Sequence, residues 1–120
     1  MDERLFTTKH AFSCLDRHPV AQGHILVIPV RHVASWFGLN RKERAAMLET
    51  LDRAKGYLDD RFSPDGYTIG VNEGAAAGQT IFHVHLHLIP RYVHDVENPL
   101  GGIRGVIPGK QLYPDRLSDD

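Results

Sequence analysis

Three histidines alternate with aliphatic residues in the stretch HVHLH, residues 83–87. In an extended strand, side chains two residues apart share a face, so His83, His85 and His87 are predicted to line one side. Neighbouring imidazoles in such a row lie about 7 Å apart along the backbone, and the outer two about 13 Å. The residues between and after them are predicted to enter the core: Val84, Leu86 and Leu88. The row is therefore able to hold an extended anion or a reacting group along its length.

Nucleophilic catalysis at phosphorus is one reaction that suits this row. A neutral imidazole is a good nucleophile near pH 7, and water can hydrolyse the phosphorylated imidazole that results. Neighbouring imidazoles can fix the tautomer of the nucleophile, donate to phosphate oxygens and protonate the leaving group. The preceding loop, residues 73–80, is rich in glycines and small polar residues of the kind that bind phosphate through backbone amides.

Two other interpretations of the row remain open. The histidines can form the polar face of an ordinary half-exposed strand. They can also bind a metal, with His24 or His32 as a third ligand from a neighbouring strand. The metal interpretation is weakened because the outer histidines lie far apart and no Cys or Glu-x-x-His accompanies them. The sequence also lacks the G-x-x-x-x-G-K-[ST] and G-x-S-x-G motifs, so the histidines themselves must carry any reaction.

Strands and one long helix are predicted to position the row. The histidine strand is predicted to end at Pro90. Three runs of β-branched or alternating residues predict further strands: residues 11–15, 24–29 and 67–72. Asn40 followed by Glu43 predicts the capping box of a helix of about five turns. Apolar residues at three- and four-residue spacing predict the buried face of this helix: Leu48, Leu51, Ala54, Leu58 and Phe62. Short turns between strands, with one helix inserted, predict an α+β domain with an antiparallel sheet.

The composition of the 120-residue chain suits one domain and excludes several classes of protein. A net charge of -1, from 14 basic and 15 acidic residues, gives no footprint for a nucleic-acid polymer or an anionic membrane. The longest aliphatic run, Ile25 to Ile28, is far shorter than the roughly 20 residues of a membrane span. The single Cys14, expected to be buried, and a start without an export signal predict a cytoplasmic protein. Glycines and prolines predict an irregular arm over residues 92–120, disordered at its last few residues.

The motif HVHLHLI at residues 83–89 resembles the His-φ-His-φ-His-φ-φ signature of the histidine triad (HIT) superfamily, in which φ is hydrophobic. Residues 11–33 resemble the nucleotide-binding half of these proteins, and residues 71–91 the catalytic half. The resemblance implies a single HIT domain over residues 1–120, with about five antiparallel strands, one long amphipathic helix and a homodimeric state. Only about ten residues precede the first matching block, so an edge strand there is expected to be short or absent.

The resemblance also implies an activity and the residues that perform it. The spacing from Leu15 to His24 and the Pro-Arg after the triad are similar to the fragile-histidine-triad branch and to bacterial diadenosine polyphosphate hydrolases, whereas the stretch VNEG is similar to the Hint branch. The resemblance to these enzymes implies cleavage at the α-phosphate of dinucleoside polyphosphates, with release of a nucleoside monophosphate through a covalent nucleotidyl-histidine. His85 matches the nucleophile, and His87 the residue that contacts the phosphate or the leaving group. His83 matches the residue that, with His24, orients the nucleophile through hydrogen bonds.

Further residues match positions that bind the substrate in this family. Asp16 is expected to bind the ribose hydroxyls. The phosphate site is expected to include Asn72 and the backbones of Gln79 and Thr80. The base is expected to lie near four residues that are equally plausible as core: Phe12, Leu15, Leu26 and Ile28. We hypothesise that Arg91 or Arg104 meets the distal phosphates.

The resemblance leaves the reaction partner and the leaving group open. No metal is expected to be required for the covalent step, although Mg²⁺ often accompanies polyphosphate substrates of this family. The alternatives are a Hint-like nucleoside phosphoramidase and a nucleotide-binding or sensing module with little turnover. His32 has no partner in the motif and is expected to be an ordinary surface or turn residue.

Overall fold

An antiparallel sheet carries the histidine row in the computed structural model, which describes residues 4–114. Within those residues the sheet has five strands in the order β1-β2-β3-β5-β4. In chain order the strands are β1 (Arg4–Thr7), β2 (Ala11–Leu15), β3 (Ile25–Pro29), β4 (Gly66–Gly70) and β5 (Leu86–Arg91). The predicted α+β class and antiparallel sheet are therefore confirmed. The edge strand β1, expected to be short or absent, is present with four described residues.

The histidine row enters the sheet only at its end. His87 lies in β5, opposite Leu26 of β3 on one side and Gly70 of β4 on the other. His83 and His85 precede the strand, because pairing between β3 and β5 covers only residues 25–27 and 86–88. Pro29 has no N–H to extend this ladder. The alternation nevertheless holds, since Val84, Leu86 and Leu88 are buried and the three histidines are half-buried.

The long helix, α1 (Arg41–Phe62), covers one face of the sheet and has 22 residues, or about six turns rather than five. The predicted capping box is confirmed, since the Asn40 side chain accepts from Glu43 N–H and the Glu43 carboxylate accepts from Asn40 N–H. The predicted buried face is wrong at Leu48, which is 51% exposed. The apolar residues of α1 that are fully buried are Met47, Ala54 and Leu58. Leu48 follows Met47 by one residue, about 100° around the helix, and so points away from the sheet.

Two apolar clusters lie on opposite faces of the sheet. The main core is formed between α1 and the residues that β3 and β5 direct towards it, among them Ile25, Val27 and Leu88. On the other face, Phe12, Cys14 and Ile28 form a smaller cluster, with Leu26 packed against it. Cys14 is buried there, as predicted. The face opposite the helix is the one that carries His87, because Leu26 and His87 are cross-strand partners.

After β5 the chain forms the predicted irregular arm. Between residue 92 and residue 114 the described elements comprise one short 3-10 helix, Gly102–Val106. A hydrogen bond from the Tyr92 hydroxyl to the carbonyl of Gln22 fixes the start of the arm against the loop before β3. The last few residues, for which disorder was predicted, fall outside the described part. Among residues 4–114, no helix combines the length and the apolar character needed to cross a bilayer.

Candidate active site

A pair of histidines forms the centre of the candidate site. His24 immediately precedes β3, and the pairing of Leu26 with His87 brings its ring to the ring of His87. The distance from His24 Nε2 to His87 Nδ1 is 3.0 Å, and Asp16 Oδ2 lies 3.5 Å from the same nitrogen of His24. Asp16 is held next to this pair because its N–H donates to the carbonyl of His24, at the end of the β2–β3 ladder. The site thus joins residues from three strand ends.

The hydrogen bonds of His24 determine where the protons of this pair lie. The backbone N–H of Val20 donates to Nδ1 of His24 over 3.2 Å, so Nδ1 of the neutral ring is an acceptor. The proton of neutral His24 is therefore on Nε2, and it is donated to Nδ1 of His87. Neutral His87 in turn carries its own proton on Nε2. The hydrogen bonds from Val20 to His24 and from His24 to His87 therefore leave the Nε2–H of His87 available to donate to a ligand.

His85 has the opposite arrangement. Its Nδ1 lies 3.0 Å from the backbone carbonyl of His83, which can only accept a hydrogen bond. Neutral His85 therefore carries its proton on Nδ1 and a lone pair on Nε2. The rings of His85 and His87 have centroids 5.0 Å apart at an interplanar angle of 62°. The site places a nucleophilic lone pair beside an N–H donor, the two functions that displacement at phosphorus needs.

The surroundings of the central pair disfavour the protonated form of both histidines. Burial lowers the pKa of His24, and the negative charge of Asp16 acts in the other direction. Burial also lowers the pKa of His87, and the nearby rings of His85 and His24 lower it further. A neutral pair agrees with the hydrogen-bond chain, because protonated His24 would compete with the N–H of Val20 at Nδ1.

The contacts of His83 and His24 differ from those expected from the sequence. His24 contacts His87 rather than His85, because the register places His24 beside the last histidine of the row. The ring of His83 does not reach His85 either, since its Nε2 donates to the carbonyl of Pro29 over 2.8 Å. His83 contacts His85 through its backbone carbonyl instead.

His32 lies at the first histidine of the row. Its ring lies beside that of His83, with centroids 5.0 Å apart, although the side chain is exposed. The contact arises because the chain after β3 continues next to the histidine segment, as the hydrogen bond from Val84 N–H to the carbonyl of Val33 shows. His32 is exposed, as expected of a surface residue, and the structure adds its contact with the ring of His83.

The loop before the histidines is closed by Gln79, which is only 6% exposed. Its side-chain oxygen accepts from Gly74 N–H, and its amide group donates to the carbonyls of Ala34 and Ile81. The N–H of Gln79 donates to the carbonyl of Gly74, so this amide is already used within the loop. Gln79 therefore stabilises the loop that is expected to bind phosphate. Asn72 and Thr80 are exposed on the same loop.

Other expected ligand residues are distributed differently. Phe12 and Ile28 are fully buried and belong to the smaller apolar cluster, whereas Leu26 is half-buried and Leu15 is 41% exposed. Arg91 forms a bidentate ion pair with Asp95 and also donates to Thr68 Oγ1.

The two arginines expected to meet distal phosphates both have other contacts. The Arg91 ion pair uses the charge that was expected to bind phosphate. The guanidinium of Arg104 lies over the Tyr113 ring, 4.3 Å from its centroid, in the C-terminal arm.

One group of residues within 4–114 has the composition of a metal site. Donor atoms of Asp16, His24 and His87 all lie within 4.8 Å of one another. In this structure the N–H of Val20 donates to Nδ1 of His24, so the proton of neutral His24 lies on Nε2, the nitrogen that a metal ion would have to take. The same three residues are in contact with one another through Nε2 of His24.

Comparison with known proteins agrees with the fold and the motif. The HIT domain family model matches residues 1–94. A bis(5'-adenosyl)-triphosphatase of Dictyostelium discoideum is 38% identical over 96 residues, which cover 80% of this chain and 64% of that protein. An asymmetrical bis(5'-nucleosyl)-tetraphosphatase of Schizosaccharomyces pombe is 34% identical over 96 residues, covering 79% and 53%.

The solved structures give the same result. A HIT family protein from Bacillus anthracis has a TM-score of 0.71 at 36% identity, covering 74% of this chain and 63% of that one. The chain thus spans between about half and two-thirds of the length of these relatives. The match ends shortly after β5, so most of the arm lies outside the shared domain.

Proposed function

Since this chain belongs to the HIT domain family, we propose that it is a nucleotidyl hydrolase that cleaves dinucleoside polyphosphates at the α-phosphate. The observation that carries the proposal is the pair of hydrogen bonds that gives His85 and His87 complementary tautomers. His85 offers a lone pair on Nε2 because its Nδ1 donates to the His83 carbonyl, and His87 offers an N–H because its Nδ1 accepts from His24. Two neighbouring relatives, named as a triphosphatase and a tetraphosphatase, support this substrate class.

The proposed reaction has two steps. Nε2 of His85 attacks the α-phosphorus, the bond from phosphorus to the bridging oxygen breaks, and the leaving nucleotide departs with a hydrogen bond from His87 Nε2–H. The phosphorylated ring of His85 is positively charged, and the His83 carbonyl stabilises it through the Nδ1–H. Water then attacks phosphorus and loses one proton to solvent, the P–N bond breaks with its electron pair returning to Nε2 of His85, and the nucleoside monophosphate leaves with the oxygen of that water.

Substrate binding in this proposal uses groups around the histidines. Asp16 keeps free acceptor capacity for ribose hydroxyls, since its Oδ1 accepts one backbone N–H, that of His18. Asn72 and Thr80 are exposed on the loop next to the row and are proposed to face the phosphates. Mg²⁺ is proposed to accompany the polyphosphate as part of the substrate, and the covalent step is proposed to need no metal ligand from the chain.

A homodimer is also part of the proposal. Strand β4 is at the edge of the sheet within the described residues, and its Ile69 is 44% exposed. Leu48 of α1 is also exposed, at 51%. An exposed edge strand and exposed apolar side chains are features that a second copy would cover.

Turnover by wild type and His85→Ala tests the proposed function. The substrates are diadenosine triphosphate, diadenosine tetraphosphate and adenosine phosphoramidate, each with chelator and then with Mg²⁺. Release of AMP from the dinucleotides by wild type alone supports the proposal. Turnover of the phosphoramidate alone would replace it with a Hint-like activity, and wild type without any turnover would leave a binding module.

A further inference from the structure

A cavity of about 520 Å³ lies beside the histidine pair, on the same face of the sheet. Ile89 lines it, and Ile89 is the next residue after His87 whose side chain shares that face of β5. Thr68 of β4, the cross-strand partner of Ile89, is also in its wall. The cavity therefore begins one side chain beyond His87, at the end of the row opposite His85.

The cavity and the histidine pair also share the loop before β3. Val20 lines the cavity, and the N–H of Val20 is the group that fixes Nδ1 of His24. Tyr92, on the far wall, donates its hydroxyl to the carbonyl of Gln22 and so ties the arm to that loop. Part of the wall thus comes from the arm, and Val96, which also lines the cavity, lies outside the residues matched by the family model.

The interior of this cavity carries no excess charge among the described residues. Arg91 and Asp95 both line it, and their bidentate ion pair cancels their charges. The remaining sides are largely apolar, with Val20, Ile89 and the ring of Tyr92. A volume of this size, with an aromatic wall and a few polar groups, suits a flat uncharged ligand rather than a phosphate.

We propose that this cavity binds the second nucleoside of the substrate, the one that departs with the leaving nucleotide. This inference rests on the proposed function, which supplies a substrate with two nucleosides. His85 and Ile89 are about 13 Å apart along the backbone, so the phosphates between the nucleosides can cross His87 before the second nucleoside enters the cavity. Its base packs against Tyr92 and Val96, while the neutral Arg91–Asp95 pair contacts the sugar or base edge.

Calorimetry with two matched ligands tests the assignment. Diadenosine tetraphosphate and adenosine 5′-tetraphosphate each carry four phosphates; only the first has a second nucleoside, and the terminal phosphate of the second ligand carries one further negative charge. Both are titrated into His85→Ala, which prevents turnover. We expect diadenosine tetraphosphate to bind about tenfold more tightly, the effect of one well-packed base. Adding Val96→Trp, which fills the cavity, is expected to remove this preference without changing the Kd of adenosine tetraphosphate.

Two control variants distinguish filling of the cavity from damage to the arm. Ile107→Trp places the same ring on an exposed position of the arm outside the cavity and is expected to leave both Kd values unchanged. Tyr92→Phe keeps the ring and is expected to retain the preference, whereas Tyr92→Leu is expected to reduce it several-fold. Equal affinity of the parent for both ligands, or equal losses for both with Val96→Trp, would overturn the assignment. The binding comparison decides this even if wild type shows no turnover, which would reject only the proposed function.

Discussion

His24 and His87 are 63 residues apart in the chain, yet their Nε2 and Nδ1 atoms are 3.0 Å apart. The register between β3 and β5 produces this contact, and the N–H of Val20 gives it a direction by engaging the other nitrogen of His24. His87 consequently keeps a proton on the nitrogen that remains free. The register between β3 and β5 thus determines which ring nitrogen of His87 carries the proton.

Removal of His24 is predicted to reduce turnover through His87. In His24→Leu the tautomer of His87 is no longer fixed, so kcat is expected to fall by about 100-fold while KM changes little. His24→Gln is expected to recover part of the activity, because its amide N–H can still donate to His87 Nδ1. Nitrogen NMR of the His87 ring measures the tautomer directly. His18→Asn, at an exposed neighbouring position, is the control, and equal activity of His24→Leu and wild type would contradict this role.

The same two histidines predict how stability depends on pH. Burial lowers the pKa of His24 and of His87, so the unfolded chain binds protons more readily than the folded one as the pH falls. The stability from these residues is fully present above the ordinary histidine pKa of about 6.5, and it is lost as the pH falls through the lower folded values. Urea unfolding between pH 8 and pH 5 measures this loss. His24→Gln is expected to flatten the curve, and an unchanged slope in that variant would argue against the prediction.

Glu43 predicts a second loss of folding stability, at a more acidic pH. Its pKa is lowered to about 2, first by the hydrogen bonds from Arg31 and then by the N–H of Asn40. The carboxylate therefore stabilises the fold above its ordinary pKa, and this contribution is lost as the pH falls towards 2. Glu43→Gln is expected to lower the free energy of unfolding by about 1–2 kcal/mol at pH 7, as for loss of a helix cap with a partly exposed ion pair.

The control for Glu43 is an exposed carboxylate of the same helix. Glu49→Gln is expected to change the free energy of unfolding by less than about 0.5 kcal/mol. Chemical denaturation of both variants at pH 7 and pH 3 makes the comparison. If Glu43→Gln is as stable as wild type at pH 7, the ion pair with Arg31 does not stabilise the start of α1.

Features that depend on short stretches of sequence could be predicted well. The alternation of histidines with Val84 and Leu86 follows from the two-residue period of an extended chain. The capping box of Asn40 and Glu43 needs only three residues of spacing. The motif itself indicated the family, because three histidines at this spacing with aliphatic residues between them are specific to HIT proteins.

Features that depend on how distant segments meet could not be predicted. The partner of His24 is decided by strand register, which also brings His32 beside His83. Gln79 was expected to offer its backbone to phosphate, but its N–H and side chain are used to close the loop.

The pairing of Arg91 is a local feature that was still missed. Asp95 lies only four residues away, but it reaches the guanidinium because His94 takes a left-handed backbone conformation with φ of 71°. Sequence spacing gave no sign of that turn, and Arg91 was hypothesised, with Arg104 as the alternative, to meet the distal phosphates.

A covalent adduct on His85 is the most direct measurement of the central claim. Wild type is mixed with saturating diadenosine tetraphosphate, quenched with base within the first turnover, digested and analysed by mass spectrometry. The account predicts AMP attached to the peptide at His85 and no adduct in His85→Ala. Attachment at His83 or His87, or turnover of the substrate by wild type with no adduct at any time point, would contradict it.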